Sequence, residues 1–543
     1  MEAELTNFPV FPPDTLPWVA KAYELRRRDR LAAAEEAAAE AHDDGEGTSQ
    51  LELAVGQFVI KTVTDCNMRC EGKGYRCYEY VDDSWRDLPP KMSDETMHQL
   101  GTRMGTYAKQ EKLKRIGAVF HGGEPLYTPG EPPEKYYARI IPILRAAVAE
   151  AAPGLTLNLS MHTNGTRLRE RILDVLSEHN VGVSVSLDGP AEAHNRNRVV
   201  QHNGQRIGMF LQTERGLNLL RSKYRHLFRG ILAVVDVEND PHKVLETLAS
   251  FEPPRIDFLW PYASWDELPS GLDIPIRELN TIKALQAYRR QTGNALLTRS
   301  AQQAVVRRNV IDYLNMPTAL QLADYASAPG TEEHAYAVPY ANWMLKVFEA
   351  NQKRNPPVNI RIFKSIESLA MGGSSFTEAI GPMAGGEVIV RTDGSIEFPD
   401  SLKAMHAGLE KMRLNVTEEG GLESAVKIMN ESGYVGRKSV ADDCRSCDLL
   451  AICGGGHIAT RYSQENGFNN PSVYCADLTD LIERVRDAVI TPQQEIMATV
   501  LAKVPHAQLP PPEAKPDIMQ ARPPRRQPDK FFPNYGPGKW EVM

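Results

Sequence analysis

The sequence predicts an α/β fold in which a parallel sheet carries most of the core. Between residues 52 and 261, apolar stretches rich in β-branched residues alternate with amphipathic helical stretches. Six strands that alternate with helices favour a parallel sheet with right-handed crossovers, and an open doubly wound sheet or a barrel-like curl satisfies the pattern equally. In both folds the chemistry gathers at the carboxyl ends of the strands. The predicted strands are residues 55–63, 115–121, 155–163, 181–188, 229–236 and 255–261.

The bulk composition excludes several classes of partner. The 543 residues are 42% hydrophobic and 24% charged, with a net charge of −8. This balance predicts a folded protein of two or three domains without general affinity for nucleic acid or anionic membranes. The sequence has no apolar run long enough to span a bilayer, and its first residues lack the features of a secretory signal. We therefore expect a cytoplasmic protein whose thiols stay reduced.

The segments around the alternating region differ in character. The first 50 residues are rich in helix formers, which is typical of a solvated helix and linker or of a docking helix for a partner. Residues 387–398 (EVIVRTDGSIEF) predict a hairpin with Asp393 and Gly394 in its turn. The predicted divisions are 1–50 (N-terminal helical extension), 51–269 (alternating region), 270–384 (helical bridging region or insertion), 385–490 (hairpin and second cysteine group) and 491–543 (C-terminal helix and Pro-rich tail).

The seven cysteines fall into one group of three and one group of four. An odd number cannot pair completely into disulfides, and the grouping indicates metal ligation. Three protein ligands leave one metal position open, whereas four close the site. Thiolates suit iron–sulfur clusters and zinc, so a three-cysteine [4Fe–4S] cluster with one free iron and a structural zinc site are the alternatives. The groups are Cys66, Cys70 and Cys77, and Cys444, Cys447, Cys453 and Cys475.

Polar motifs follow three of the predicted strands. They are HGGEP (121–125), HTNG (162–165) and SLDGP (186–190). The glycine pair of the first motif allows close approach to the backbone, and its Glu124 can receive an ammonium group. Each motif alone is a common turn, but their convergence at one sheet edge predicts a ligand pocket.

The order of these motifs resembles that of the radical S-adenosylmethionine (SAM) superfamily. The set CNMRC with a third cysteine, then GGEP, HTNG and SLDG, is similar to the branch whose SPASM extension binds an auxiliary iron–sulfur cluster. A closer resemblance is to FxsB-type maturases, which form cyclophane rings in peptides. It extends from residue 52 to residue 485 and includes FHGGEPL (120–126), VSLDGPAEAHNRNR (185–198), GGEVIVRTDGSIEFPDSLK (385–403) and CGGGHIATRY (453–462).

The resemblance implies a fold and a set of ligands. The fold is a partial (β/α)6 TIM-like barrel followed by a C-terminal SPASM domain. The first three cysteines would hold the SAM cluster, and the last four would hold one auxiliary [4Fe–4S] cluster. Glu124 would receive the ammonium of SAM, and Ser186 and Arg198 would contact its ribose or carboxylate. The implied cofactor pocket comprises Gly122, Gly123, Glu124, Thr163, Asn164, Ser186, Arg198, Val234 and Val235.

One departure concerns the spacing of the cysteines. In the superfamily the third cysteine usually follows the second after two residues, whereas six residues, EGKGYR, precede Cys77 here. We expect the two glycines of this segment to let a longer loop fold back and present Cys77 to the same cluster.

The reaction implied by the resemblance is the modification of a ribosomally made precursor peptide. A 5′-deoxyadenosyl radical would remove a hydrogen from a β-carbon, which then joins a side-chain ring as a cyclophane. The partners would be the peptide and an electron donor such as flavodoxin or ferredoxin. Asp393 is a candidate base, although its turn explains it equally well. The alternatives are a thioether crosslink, formylglycine formation and a zinc protein that binds a peptide without chemistry.

Overall fold

The computed structural model describes residues 55–72, 75–77, 83–269, 272, 338–381, 386–432, 440–445, 447 and 449–502. Contacts group residues 53–487 of this part into one compact unit, which holds the elements discussed below, and assign the end of the last helix, from Ala488, to another. The predicted N-terminal extension and Pro-rich tail lie outside the described residues. The first part of the predicted helical bridging region 270–384, up to residue 337, also lies outside them, except for Leu272.

The strands form one large and one small sheet. The large sheet has nine strands in the order β10-β9-β6-β5-β4-β1-β11-β12-β13, and the small one has the order β3-β2-β7-β8. In chain order the strands are β1 (Gln57–Val63), β2 (Arg69–Gly72), β3 (Tyr75–Arg76), β4 (Arg115–Gly122), β5 (Thr156–Thr163), β6 (Val181–Ser186), β7 (Arg198–His202), β8 (Gln205–Gly208), β9 (Phe228–Val234), β10 (Ile256–Leu259), β11 (Glu387–Val390), β12 (Ser395–Glu397) and β13 (Lys411–Asn415).

Six strands of the large sheet confirm the predicted alternation. β1, β4, β5, β6, β9 and β10 follow one another both in the chain and in the sheet, and every neighbouring pair is parallel. Parallel strands buried on both faces read as continuous apolar runs, and all seven residues of β1 are buried. The α/β fold with a mostly parallel sheet is therefore as the sequence predicts.

Helices occupy the connections between the parallel strands up to β10, and further helices follow β10 in the chain. In chain order they are α1 (Asp94–Gln110), α2 (Pro133–Ala151), α3 (Glu170–Glu178), α4 (Ala191–Asn197), α5 (Phe210–Lys223), α6 (Pro241–Ser250), α7 (Pro339–Gln352), α8 (Arg361–Ala370), α9 (Asp400–Met405), α10 (Gly421–Glu431), α11 (Leu450–Cys453) and α12 (Cys475–Ala502). No helix in the described ranges is both long enough and apolar enough to cross a membrane.

The predicted hairpin continues the main sheet. β11 pairs in parallel with β1, from Gln57 opposite Glu387 onward, and β12 and β13 add antiparallel strands beyond it. Gly394 has a φ of 85°, which a glycine adopts without strain and which closes the turn between β11 and β12. The hairpin therefore places the side chains of β11 on the same sheet faces as those of β1.

Candidate active site

The amino-terminal cysteines lie where β1 leaves the main sheet. The backbone N–H of Met68 donates to Sγ of Cys66 at 3.3 Å, and the backbone N–H of Cys66 donates to Oδ1 of Asp65 at 2.8 Å. Nδ2 of Asn164 lies 3.8 Å from the same sulfur. Because Asn164 directly follows β5, Cys66 is at the carboxyl edge of the parallel sheet.

A hairpin brings Cys77 back to Cys70. Glu71 pairs with Arg76 and Gly72 with Tyr75 in the two short strands β2 and β3. The backbone N–H of Cys77 donates to the carbonyl oxygen of Cys70 at 3.2 Å. The long segment that sets this sequence apart from the superfamily pattern is therefore an antiparallel turn that returns the third cysteine to the second.

The Cys66 thiol lies within electrostatic reach of the Cys70 and Cys77 thiols. Burial raises the pKa of Cys66 well above its usual value, and Glu124, Cys70 and Cys77 nearby raise it further. Burial also raises the pKa of Cys70, against the opposing effect of Arg198. Such thiols become thiolates readily only when a cationic metal group compensates them, so this donor set fits a three-cysteine iron–sulfur cluster. None of the seven cysteines forms a disulfide, and no three His, Cys, Asp or Glu side chains in the described ranges are grouped to hold a single metal ion.

Glu124 is a buried carboxyl held by three donors. Thr163 Oγ1 donates to its Oε1 at 2.5 Å, the N–H of Leu126 donates to the same oxygen at 3.1 Å, and the N–H of Asn164 donates to Oε2 at 2.8 Å. Its side chain is almost fully buried, and burial raises its pKa to about 7 in spite of these donors. Because the pKa of this carboxyl is close to neutral pH, a cationic ligand beside it would strongly favour its ionised form.

Gly122 and Gly123 make room for the protein's own chain. A Cβ on Gly122 would lie 2.3 Å from the carbonyl oxygen of Val63, and a Cβ on Gly123 would lie 2.4 Å from that of Asp65. The N–H of Gly123 donates to Val63 O at 3.0 Å. The glycines are therefore needed to pack β4 against the segment that leads to Cys66, a reason that the sequence did not reveal.

Arg198 is fixed beside the second cysteine by Asp188. Arg198 lies opposite Cys70 in the β2–β7 pair, and its guanidinium donates to both oxygens of Asp188, at 2.6 and 3.0 Å. The N–H of Val234 also donates to Asp188 Oδ1, at 3.0 Å. Burial by itself raises the pKa of Asp188, but Arg198 outweighs it and lowers that pKa. Arg198 and Val234 are thus brought together by an aspartate that sequence reasoning did not single out.

Ser186 lies next to two histidines. Its hydroxyl is 3.0 Å from Nε2 of His162, whose ring meets that of His121 edge-on with centroids 5.0 Å apart. Burial lowers the pKa of His162 well below its usual value, so this imidazole is neutral. Neither histidine was predicted from the sequence as a ligand, and both line a cavity against the main sheet.

The second cysteine group includes a run of three glycines that directly follows Cys453. Cys444, Cys447 and Cys453 lie within electrostatic reach of one another, and burial raises the pKa of Cys444 to about 12 and that of Cys453 to about 11. Three glycines with positive φ follow Cys453. A Cβ on the last of them, Gly456, would be 3.1 Å from the Cβ of Ser472, whose carbonyl accepts the N–H of Cys475. The turn before α12 therefore packs against the glycines that follow Cys453.

Asp393 has the contacts of a turn residue. Its Oδ1 accepts hydrogen bonds from the N–H and the hydroxyl of Ser395, at 2.9 and 2.6 Å. The amide of Asn415 donates to its backbone carbonyl at 3.1 Å. Asp393 is absent from the lining of the cavity described next.

A cavity of about 210 Å³, which we call the inner cavity, lies against one face of the main sheet. Side chains from β1, β4, β5, β9, β10 and β11 line it, together with α8, α9 and two loops. Its polar lining residues include His121 and His162, which connect it to Ser186. Its charged lining residues are Asp257, Arg361, Glu378, Glu387 and Asp400.

Sequence reasoning missed these charged residues. The signal was present, because a charge inside an apolar parallel strand is expensive to bury unless it is paired. Asp257 lies within RIDFLWP and Lys61 within VGQFVIKTV. Each has a short ion pair, Asp257 with Arg361 at 2.9 Å and Lys61 with Asp400 at 2.6 Å.

Comparison with known proteins identifies several relatives, including two sulfatase-maturating enzymes. No protein-family model matches the chain. It is 28% identical over 157 residues to the serine-type anaerobic sulfatase-maturating enzyme of Bacteroides thetaiotaomicron, a match that covers 29% of this chain and 34% of that protein. It is 21% identical over 421 residues to the cysteine-type anaerobic sulfatase-maturating enzyme of Clostridium perfringens, which covers 77% of this chain and 92% of that protein.

The likeness extends to solved structures of native anSMEcpe. The TM-score is 0.55 for the structure with bound AdoMet and 0.53 for the one with AdoMet and the Kp18Cys peptide. The chain shares the fold of anSMEcpe. Each alignment covers 82% of this chain and 99% of anSMEcpe at 19% identity, so it establishes the α/β architecture with its mostly parallel sheet.

Proposed function

We propose that this chain is a radical SAM enzyme that forms a cyclophane crosslink in a ribosomally made precursor peptide. The observation that carries the proposal is that Cys70, Cys77 and Glu124 all lie within electrostatic reach of Cys66 at the carboxyl edge of the sheet. The sequence motifs and the similarity to two sulfatase-maturating enzymes support the reaction class. The protein is an oxidoreductase, and its cofactors are SAM and a [4Fe–4S] cluster.

The residues at the sheet edge bind and orient SAM. Cys66, Cys70 and Cys77 hold the cluster, which with bound SAM supplies the 5′-deoxyadenosyl radical. Glu124 receives the ammonium of the methionine portion, and Thr163 and Asn164 fix the direction of its carboxylate.

The neighbouring strands supply the rest of the cofactor pocket. Arg198 is held in place by Asp188 and would contact the carboxylate or ribose of SAM. Ser186 contributes a hydroxyl to the same pocket. Val234 is the last residue of β9 and Val235 follows it, and the two would flank the adenine.

The carboxy-terminal part binds an auxiliary cluster. Cys444, Cys447, Cys453 and Cys475 ligate one [4Fe–4S] cluster fully, in a SPASM domain that spans residues 385–490. Such a cluster would supply an acceptor for the surplus electron of crosslinking. The preceding region, residues 51–269, is a partial (β/α)6 barrel. An external donor such as flavodoxin or ferredoxin reduces the enzyme in the cytoplasm, where thiols stay reduced.

Formylglycine formation is the second candidate. Two of the relatives are sulfatase-maturating enzymes, one of the serine type and one of the cysteine type. The radical would then act on a serine or cysteine β-carbon and leave an aldehyde. Crosslinking is preferred here because the motif resemblance to cyclophane-forming maturases covers both cysteine groups and the hairpin between them.

Co-expression with a neighbouring short reading frame, followed by mass spectrometry, tests the proposal. A cyclophane removes two hydrogens, resists fragmentation between the linked residues and does not react with hydrazides. Formylglycine reacts with hydrazides, and its formation from cysteine also removes sulfur. A zinc protein would be colourless after anaerobic reconstitution and would leave SAM intact under a strong reductant, and that result would overturn both candidates.

A further inference from the structure

The inner cavity has an excess of acidic groups. Among its described lining residues, four carry carboxyl groups and one, Arg361, is a permanent cation. Three of the four carboxyls have an ion-pair partner, and no ion pair to Glu387 occurs in the described ranges. The pairs are Arg361 Nη1 with Asp257 Oδ2 at 2.9 Å, Lys61 Nζ with Asp400 Oδ2 at 2.6 Å, and His457 Nε2 with Glu378 Oε1 at 3.5 Å.

Two buried oxygens of the cavity also lack partners. Ser401 lines the cavity with only 3% of its surface exposed, and its hydroxyl has no hydrogen-bond partner among the described residues. Oδ1 of Asp400 is buried and equally unpartnered there. Leaving such a group unsatisfied costs about 1–3 kcal/mol. A cavity of about 210 Å³ is far larger than the ~10–15 Å³ that one water requires, so it has room for a polar ligand that would satisfy these oxygens.

We propose that the inner cavity binds the cationic end of a lysine or arginine side chain of the substrate peptide, with Glu387 as its ion-pair partner. An ammonium or guanidinium group brings several donors, which the carboxyl of Glu387, Oδ1 of Asp400 and the Ser401 hydroxyl can all accept. The peptide as the source of the cation rests on the proposed function. The preference of the cavity for a cation rests on its lining alone.

The cation replaces a proton on Glu387. Burial raises the pKa of Glu387 well above its usual value, Glu378 and Asp400 raise it further, and Lys61 lowers it. The carboxyl therefore keeps its proton to a higher pH than an ordinary glutamate does. A bound cation favours the ionised form, so binding releases up to one proton. The other titratable or charged groups that face the cavity are His121, His162, Asp257, Tyr262 and Arg361.

Calorimetry with small probes tests this directly. Nα-acetyl-lysine methylamide and Nα-acetyl-arginine methylamide are titrated into the reconstituted holoenzyme at pH 7, in two buffers with different ionisation enthalpies. The neutral controls are the norleucine and citrulline analogues. We expect the cations to bind at least about tenfold more tightly than the controls, a difference of about 1.4 kcal/mol, with a buffer-dependent heat that reports proton release.

Variants locate the site. Glu387→Gln should lower the affinity for both cationic probes by at least about tenfold and abolish proton release on binding. Glu397→Gln is the matched control, because this carboxyl lies on β12, has a pKa raised to about 7 by burial and is not part of the cavity lining. Asp400→Asn should also lower the affinity for the cationic probes. It replaces Glu387→Gln as the test if circular dichroism shows that Glu387→Gln does not fold.

Two outcomes overturn the inference. One is equal binding of the lysine and norleucine probes. The other is cation binding that neither Glu387→Gln nor Asp400→Asn changes. SAM cleavage is measured on the same preparation without peptide, so a protein that binds cations but leaves SAM intact refutes the proposed function and not the cavity.

Discussion

The backbone N–H of Cys77 donates a hydrogen bond to the carbonyl oxygen of Cys70 at 3.2 Å. The two residues therefore face each other across a hairpin, although six residues separate them in the sequence. The pairing of the intervening residues with one another accounts for the wide spacing, and it supports the proposal that Cys77 is the third ligand beside Cys66 and Cys70.

Removing one cysteine from each group should distinguish the contributions of the two proposed clusters. Cys77→Ala should lower the iron content from about eight to about four per chain, at four irons per cluster, and abolish SAM cleavage. Cys447→Ala should lose the same amount of iron but keep SAM cleavage in the absence of peptide, because the first site is intact. Iron analysis, electron paramagnetic resonance and quantification of 5′-deoxyadenosine give the result. Retained SAM cleavage in Cys77→Ala would remove this cysteine from the ligand set.

Glu124 should dominate the affinity for SAM. Glu124→Gln removes the charge opposite the ammonium, and a hydrogen bond to a charged group contributes about 1.5–3 kcal/mol, so we expect the Kd to rise about 10- to 100-fold. Thr163→Val removes one neutral donor to the carboxylate and should cost about 1 kcal/mol, or about fivefold. Equilibrium binding of SAM to the reconstituted, oxidised enzyme measures both. An unchanged Kd in Glu124→Gln would show that the ammonium binds elsewhere.

SAM binding should weaken as the pH falls from 7.5 to 5.5. Burial raises the pKa of free Glu124 to about 7, and an ammonium partner lowers it in the complex. Between these two values SAM must displace a proton, so its affinity falls by up to about tenfold per pH unit below 7 and levels off above it. The window ends at 7.5 because an α-amino group loses its own proton near 8. Glu124→Gln should show a flat profile, and a wild-type profile equally flat would contradict the assignment.

The sequence predicts the parallel sheet because period and composition are local signals. Each strand of the alternating region is a continuous apolar run, and each run is bounded by helix formers, so the order of β1, β4, β5, β6, β9 and β10 follows from connection rules. The pairing of β11 with β1 is different, because it joins residues more than 300 positions apart, and no local pattern specifies that neighbour.

The site was predictable only as far as its motifs extend. Glu124, Thr163 and Asn164 were predicted separately, and the structure joins them in one hydrogen-bonded unit. Asp188 and Glu387 were missed, since an acidic residue in a turn or at a strand start is common. Their importance comes from what distant elements place around them.

Asp477 should stabilise the start of α7. Its Oδ1 accepts the backbone N–H groups of Tyr340 and Ala341, at 2.8 and 2.9 Å, from a buried position. Asp477→Ala leaves both donors buried without a partner and should lower the free energy of unfolding by about 2 kcal/mol. Asp477→Asn keeps an acceptor oxygen and should lose less stability. Thermal unfolding followed by circular dichroism compares the two variants with the wild type.

The same residue predicts a pH dependence of stability. Burial raises the pKa of Asp477 to about 7, whereas an unfolded aspartate titrates near 3.9. The folded state therefore binds more protons between these values, so stability falls as the pH rises from 4 to 7. The amide of Asp477→Asn does not titrate, so the stability of the variant relative to the wild type should increase as the pH rises across this range. A constant difference between the two would refute the raised pKa.

Asp393→Asn separates a catalytic base from a turn residue. The carboxylate accepts two hydrogen bonds from Ser395 and is absent from the lining of the inner cavity. An asparagine keeps an oxygen for these donors, so we expect product formation within about threefold of wild type and a stability loss below about 1 kcal/mol. The assay quantifies crosslinked peptide and 5′-deoxyadenosine in parallel. Were the variant to cleave SAM normally yet yield no crosslink, proton removal by Asp393 would be the explanation, because loss of a turn contact alone would affect stability and not the ratio of the two products.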